Sequence, residues 1–591
     1  MSLDFGYVSY SGTKPQLKML ANSKMLAVDA ETTGLNMATD NLVCYSITES
    51  EDHAYMVSQD NRFFANMLAD ETKCKLGHNM KFDRAMFKKK GITFNNVCDT
   101  MVAAHLLEYP SLSLDYLLKT KYFDTMKHRT YLEYPYPLEY STPQQLAEHF
   151  SSHAAGLQLL WKGVIREDGV SDGLLRNLNA NSLTGVFSDV EMPLVPVLSD
   201  MELQGAYINT DTLNTLGEKL KSNADTLETA LHHYAGAEPG TVNFNSPEQV
   251  SRIMYKEVGV PLPPEWTFAG KTRPGCDKVH LAKYADKYTI VNLYLKYKHF
   301  KHLYNTYVVG ILDKLVDNRI HTTFNQTVTR TGRLSSSKPN LQNIPIRSEL
   351  GKRIREAFCT PPDSDSVIVK VDFDQMELRD IACWADCTPM INAFNSGEDV
   401  HATTAIRVFG DIKYRPEAKT LHYQLIYGGG EKEHVEMFFK AYPEIKQWID
   451  KRQWEFRNTG YAKTRFGRKR TLGNYRRMSG MERAHANREG ISTIVQGSCA
   501  EIMKIGMRKV WEEVRDSDIK MILQVHDELV FECPKKRIRD LYDIIQRNLV
   551  YRELQIPLTT GFKVGKTWAS GIEIDRSMLK DLDNIVAEIA A

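Results

Sequence analysis

The sequence predicts a chain of several domains, with an α/β unit first and an α+β body behind it. Length is the first reason. A chain of 591 residues exceeds one hydrophobic core and, at ~100–200 residues per domain, implies about three to five compact units. Pattern is the second. Residues 1–165 alternate short apolar strands, KMLAVDA and LVCYSIT, with helical stretches such as MVAAHLLEY and LSLDYLLKTKY. Position is the third. Strand-like runs at 319–329, 367–373, 521–525 and 529–532 are separated by a mostly helical block rich in Arg and Lys at about 400–490. Distant strands around a helical insert predict a mixed sheet decorated by helices.

Between these parts, REDGVSDG (166–173) reads as a linker, and long helical patterns run from VEMPLVPVLSDMELQG to about residue 310. Apolar residues at 42% and charged residues at 25% are ordinary for a globular chain and argue against long disorder. The formal net charge of +1 excludes a uniformly basic coat, but not a basic groove beside an acidic centre. Nine scattered cysteines without a C-x-x-C pair, and no apolar leader, predict reduced thiols in a cytoplasmic protein with no membrane part.

The chemistry begins at QVHDELVFE (524–532), where His526, Asp527 and Glu528 sit between two apolar, strand-like arms. An acidic hairpin tip needs no function. VIVKVDFDQMELRD (367–380) supplies a second strand ending in a carboxylate, Asp372, which alone reads as a helix cap. Two such carboxylates in one chain call for a cation between them, and hard divalent ions such as Mg²⁺ prefer oxygen ligands. In RPEAKTLHYQLIYGGG (415–430), Pro416 suits a helix start, and Arg415, Lys419, Tyr423 and Tyr427 recur every fourth residue. They form one stripe of two cations and two aromatics over roughly 18 Å, suited to a triphosphate followed by a sugar and base. TGRLSSSKPNLQNIPIR (331–347) crowds Arg333, Asn340, Gln342, Asn343 and Arg347 onto one loop, groups that contact phosphates and minor-groove acceptors.

Together DFDQMELR, RPEAKTLHYQLIYG, QVHDELVFE and the loop TGRLSS…PNLQNIP resemble the family A DNA polymerases, over nearly the whole chain. The resemblance implies a right-hand polymerase of palm, fingers and thumb. It implies that Asp372 and Asp527 hold two Mg²⁺ ions (Mn²⁺ substituting), with the Phe373 carbonyl as a further ligand and Glu528 close by. Arg415 and Lys419 would hold the triphosphate, His401 would assist, and Tyr427 would stack near the template base. Gln375 and Glu377 would lie at the incoming nucleotide, Glu377 crowding its 2′ carbon. Tyr423 stands where the family has Phe or Tyr, and its hydroxyl predicts acceptance of dideoxynucleotides. Arg333, Gln496 and His526 would survey the primer terminus and minor groove, and Arg488 the template; Ser492 replaces a family asparagine. The implied partners are primer-template DNA and dNTPs, bound by a monomer that accessory replication proteins can join.

LAVDAETTGL (26–35) places Asp29 and Glu31 two apart on one strand face, and LGHNMKFDRAMF (76–87) adds Asn79 and Asp83. These resemble the first two motifs of RNase H-like 3′–5′ exonucleases, in which carboxylates hold two metals. The third motif requires Tyr, three residues, then Asp. LAEHFSSHAAGLQLL (146–160) offers His149 and His153 instead, which predicts an impaired site.

The expected division is 1–165 exonuclease-like, 186–310 thumb and connecting helices, 311–400 and 491–591 palm, and 401–490 fingers. VNLYLKYKHFKHLYNTY (291–307) and KTRFGRKRTLGNYRR (463–477) are expected to grip duplex and template. An exonuclease-like unit beginning almost at once suggests a phage replicase, or a bacterial enzyme shortened at its front. Single-subunit RNA polymerase is the rival enzyme reading, and a catalytically dead DNA-binding protein the rival outside enzymes. Glu377 and the exonuclease-like front half argue against the first; Asp372, Lys419 and Asp527 argue against the second.

Overall fold

The structure is a computed structural model that describes residues 17–51, 53–58, 61–122, 143–163, 171–262, 278–346, 348–427, 429, 431–582 and 584–585. Residues 166–170 of the expected linker lie outside the described residues.

The front unit is a five-stranded sheet in the order Tyr55–Ser58, Leu42–Thr48, Met25–Thr32, Cys74–Gly77, Val97–Asp99. The first three strands pair antiparallel and the last two join parallel. Leu26, Ala27 and Val28 are buried on the central strand, so its acidic end emerges half-buried at one end of the sheet. Helix Pro143–Lys162 packs across the central strands and Met80–Lys89 covers a neighbouring part.

Behind it, helices Thr210–Tyr234 and Thr289–Leu303 pack on each other around Leu231, Phe244, Val291 and Tyr297. The run 319–329, expected as one strand, breaks into Arg319–Ile320 and Thr323–Asn325, which belong to different sheets. Side-chain bonds turn the chain there. His321 Nδ1 meets the Glu202 carbonyl at 2.8 Å, and Thr322 Oγ1 meets Ser336 Oγ at 2.6 Å.

The main sheet has the order Lys520–Val525, Glu528–Pro534, Ser366–Phe373, Thr560–Gly565, Ile572–Glu573, antiparallel throughout. Its central strand buries Val367, Ile368, Val369 and Val371. The 35-residue helix Gly480–Val514 contributes Cys499, Ile502, Met503 and Met507 to the same core. That helix opens with a capping box, Ser479 with Glu482, which satisfies orphan N–H groups at its start. Between Trp384 and Gly480 the chain is largely helical with its own buried cluster, plus one hairpin, Tyr461–Lys463 with Lys469–Thr471. Among the described residues, no helix is long and apolar enough to cross a membrane.

Candidate active site

Val525 and Glu528 are cross-strand partners, so His526 and Asp527 form a two-residue turn. His526 has φ +56°, and positive φ at the first turn position alone is the II′ pattern that matches strand twist. The Asp527 carbonyl accepts from the Phe373 N–H at 3.2 Å, tying the turn to the end of the central strand. In that register Asp372 lies opposite Glu528. The acidic tip and the strand-end carboxylate therefore converge.

Burial, then the charges of Glu528, Asp527 and Asp374, push the Asp372 carboxyl up to about 7. Repulsion of this kind is relieved by a cation. Glu528 Oε1 is fixed by Trp568 Nε1–H at 2.7 Å, and Asp374 Oδ2 by the Thr559 hydroxyl at 2.8 Å. Sequence reading singles out neither Trp568 nor Asp374. The spacing Asp-Phe-Asp carried the signal for Asp374, which stands one residue past the strand end with its N–H held by the Thr559 carbonyl at 3.0 Å; nothing local marks Trp568.

Arg333 hydrogen-bonds Glu377 Oε1 and lies 3.9 Å from Asp527 Oδ1, joining the loop, the helix Met376–Trp384 and the turn. Gln342 Nε2 donates to Gln524 Oε1 at 2.9 Å, and Gln524 donates in turn to the His526 carbonyl. Gln375, at φ +49°, stands immediately before helix Met376–Trp384. Gln496 is buried on Gly480–Val514, with half-buried Ser492 and exposed Arg488 each one turn earlier. Asn340 and Asn343 are exposed on their loop, away from the acid cluster's hydrogen bonds; Arg347 lies outside the described residues.

Helix Arg415–Tyr427 presents Arg415 and Lys419, both exposed, one turn apart. The side chains of Tyr423 and Tyr427 lie outside the described residues. Arg415 Nε donates to Asp399 Oδ2 at 2.6 Å, while Asp399 Oδ1 accepts from the N–H of His401 at 2.9 Å. His401 is buried, and its Nδ1 meets His422 Nδ1 at 2.8 Å. His422 Nε2 meets Thr404 Oγ1 at 3.1 Å, which meets the Tyr442 hydroxyl at 2.9 Å. Burial pushes both imidazoles down, His422 to about 3.

The arginine-rich run 463–477 is mostly not a free grip. Arg465 pairs with Asp380 at 2.7 Å, Arg468 is buried between Glu191 and Glu501, and Arg470 pairs with Glu489. Only Arg476 and Arg477 of its arginines are exposed. Helix Thr289–Leu303, by contrast, exposes Lys296, Lys298 and His302, and a groove runs beside Lys298, Lys301 and His302.

In the front unit Asp29, Glu31 and His153 offer atoms within 4.8 Å of one another. His153 Nδ1 is 2.9 Å from Asp29 Oδ2 and 3.9 Å from Glu31 Oε1. Burial and then Asp29 push Glu31 up to about 8. Asp83 is buried on Met80–Lys89; desolvation, then Asp29, Asp99 and Glu31, drive its carboxyl well upward. Asn79 has φ +61° and directs its backbone N–H to Asp99 Oδ1 at 3.1 Å. The His149 side chain lies outside the described residues. Imidazole in place of a fourth carboxylate does not fit a pair of Mg²⁺ ions.

Comparison with known proteins first gives the class, polymerases joined to an exonuclease-type domain: a 3′–5′ exonuclease model matches residues 10–131. The model of DNA polymerase family A matches residues 210–570, more than half of the chain, and the chain belongs to that family. It is 31% identical over 587 residues to DNA polymerase I of Geobacillus stearothermophilus, covering 93% of this chain and 64% of the relative. It is 34% identical to DNA polymerase I of Caldicellulosiruptor bescii, covering 67% of this chain and 49% of the relative. The chain thus spans about half to two thirds of these curated relatives. The POL domain of Pol1 from M. smegmatis, solved with DNA primer-template and dNTP, superimposes with a TM-score of 0.80 at 26% identity. That match covers 94% of this chain and 97% of the solved one.

Proposed function

We propose that the chain is a template-directed DNA polymerase that adds dNTPs to a primer 3′-OH. The observation that carries this reading is the register placing Asp372 opposite Glu528, one residue from Asp527 at the turn. Family A polymerases use divalent ions, and the mutually repelling Asp372, Asp527 and Glu528 suit them. We assign two Mg²⁺ ions, Mn²⁺ substituting, to Asp372, Asp527 and the Phe373 carbonyl. Bound there, the ions supply charge stabilisation for the attacking and leaving oxygens.

The chain's own groups do the rest. Arg415 and Lys419 bind the triphosphate, which requires Arg415 to release Asp399. His401 contacts the phosphates, and Tyr423, Tyr427 and Gln375 line the nucleotide. Glu377, braced by Arg333, blocks a 2′-hydroxyl. Arg333, Gln496 and His526 hold the primer end and minor groove. Asn340, Gln342, Asn343 and Arg347 follow the duplex, and Arg488 the template. The groups at 186–310, 311–400 with 491–591, and 401–490 act as thumb, palm and fingers, in a cytoplasmic monomer. Primer extension with dNTPs or rNTPs tests this. Extension with dNTPs supports it; selective use of rNTPs, or binding without extension, overturns it.

The front unit, 1–165, we read as an exonuclease fold with impaired activity, because His153 stands where a ligand carboxylate is needed. A labelled mismatched primer without dNTPs should stay intact; brisk shortening contradicts this.

A further inference from the structure

The cluster in the front unit sets an imidazole beside two carboxylates. Its third member is an imidazole nitrogen on helix Pro143–Lys162, 2.9 Å from Asp29 Oδ2 and 3.9 Å from Glu31 Oε1. A four-coordinate ion with ligands at about 2.0–2.2 Å has ligand–ligand edges of about 3.4 Å, between those two distances. Both separations lie within about 0.5 Å of that edge, so a small movement of side chains sets the imidazole and the two carboxylates around one ion.

A second observation points the same way. Asp83 is 5% exposed, and its Oδ2 has no hydrogen-bond partner among the described residues. Glu31 Oε1 is likewise buried and without a hydrogen-bond partner. Asp83 stands near enough for the charges of Asp29 and Glu31 to act on it. Buried carboxylate oxygens left without donors, beside a nitrogen ligand, are acceptors waiting for a cation. Nitrogen decides which cation. Imidazole with carboxylates suits Zn²⁺ and its borderline neighbours Fe²⁺ and Co²⁺, whereas Mg²⁺ keeps to oxygen and to octahedral geometry.

We propose that Asp29, Glu31 and His153 form a single-ion site for a borderline transition metal, Zn²⁺ foremost, in place of a two-magnesium centre. The site is separate from the palm and independent of polymerase activity.

The test uses the full chain, stripped with chelator and dialysed against micromolar Zn²⁺ in millimolar Mg²⁺, which occupies the palm carboxylates. Wild type should retain one Zn²⁺ more than His153→Ala, whose affinity should fall by at least about tenfold. Loading with Co²⁺ alone should give the visible absorption of a four-coordinate ion in wild type and not in His153→Ala. His153→Asp should narrow the preference for Zn²⁺ over Mg²⁺ by about tenfold or more. Cys74 and Cys98, whose sulfurs lie 3.0 Å apart in the same unit, are the competing zinc ligands, so Cys74→Ser should leave binding unchanged. Equal Zn²⁺ in wild type and His153→Ala, loss in Cys74→Ser, or no retained Zn²⁺ in wild type would each overturn the site. An unchanged thermal melt of metal-free His153→Ala, followed by circular dichroism, shows that the front unit of this variant is folded.

Discussion

At the scale of single residues the account turns on charges placed where they repel. Asp372 binds its proton more tightly in the folded chain than in the unfolded one, up to about 7 against an ordinary 3.8. Without divalent ions its contribution to stability is therefore lost as pH rises from 3.8 to about 7. Asp372→Asn should raise the melting temperature of the metal-free protein at pH 8 while abolishing synthesis. A lower melting temperature for this variant would show that the repulsion is not felt. Glu377→Ala should raise ribonucleotide incorporation by roughly ten- to hundredfold, since a steric block of a few atoms is worth that much. It also frees Arg333, which lies 3.9 Å from Asp527, so dNTP turnover should fall as well; unchanged sugar selection would contradict the role.

His422 is the residue that sequence reading misses. It lies between Lys419 and Tyr423 on the stripe helix, but its significance comes from His401, 21 positions earlier in the chain. Two neutral imidazoles in contact must have one donor and one acceptor. If Tyr442 donates to Thr404, Thr404 to His422 Nε2 and His422 Nδ1 to His401, then His401 is left with an Nε2–H to give to a phosphate. The reverse order offers the phosphate a lone pair. His422→Leu should therefore raise KM for dNTP several-fold with a smaller loss of kcat, and His422→Asn, which keeps an amide donor, should restore it. Equal kinetics in all three would remove the relay.

At the scale of elements, the hairpin and the strand beside it were legible because an apolar strand ending in Asp has few meanings once two are found. Asp527 and Glu528 stood out because they fall between two nearly continuous apolar arms, both of which are buried strands. The stripe of Arg415 and Lys419 followed from helical spacing alone. What stayed hidden depends on distant partners. Arg468 reads as part of a basic run, but its carboxylate Glu191 lies 277 residues away. Burial opposes ionisation of Glu191, yet Lys504 and Arg468 hold it down to about 2. Its contribution is thus present above the ordinary carboxylate range and lost only as pH falls toward 2. Arg468→Met leaves two buried carboxylates with Lys504 alone and should destabilise by about 3–5 kcal/mol in denaturant unfolding. Exposed Arg476→Met should stay within about 0.5 kcal/mol. The split of 319–329 was illegible for the same reason, since the turn is made by Glu202 and Ser336.

At the scale of the whole molecule, the Glu191 network joins the helix after the front unit to the hairpin of the helical block and to Gly480–Val514. The sheet, with Asp372 and Asp527, packs on that long helix. Lys296, Lys298 and His302 are exposed where Arg465, Arg468 and Arg470 are engaged, so we propose the former as the grip on DNA. Affinity for primer-template should fall steeply with salt, and Lys298→Ala should flatten the slope of log K against log salt by about one unit. Arg470→Ala should leave that slope unchanged.

We infer that Asp372 and Asp527 act at one centre built by the strand register. Single-turnover dNTP addition by Asp372→Ala, Asp527→Ala and the double variant, across a titration of Mg²⁺, tests it most directly. One shared centre predicts that each single change costs at least about a thousandfold and that the double costs scarcely more. Wild-type rates in either single variant, or losses that multiply in the double as independent sites do, would contradict it.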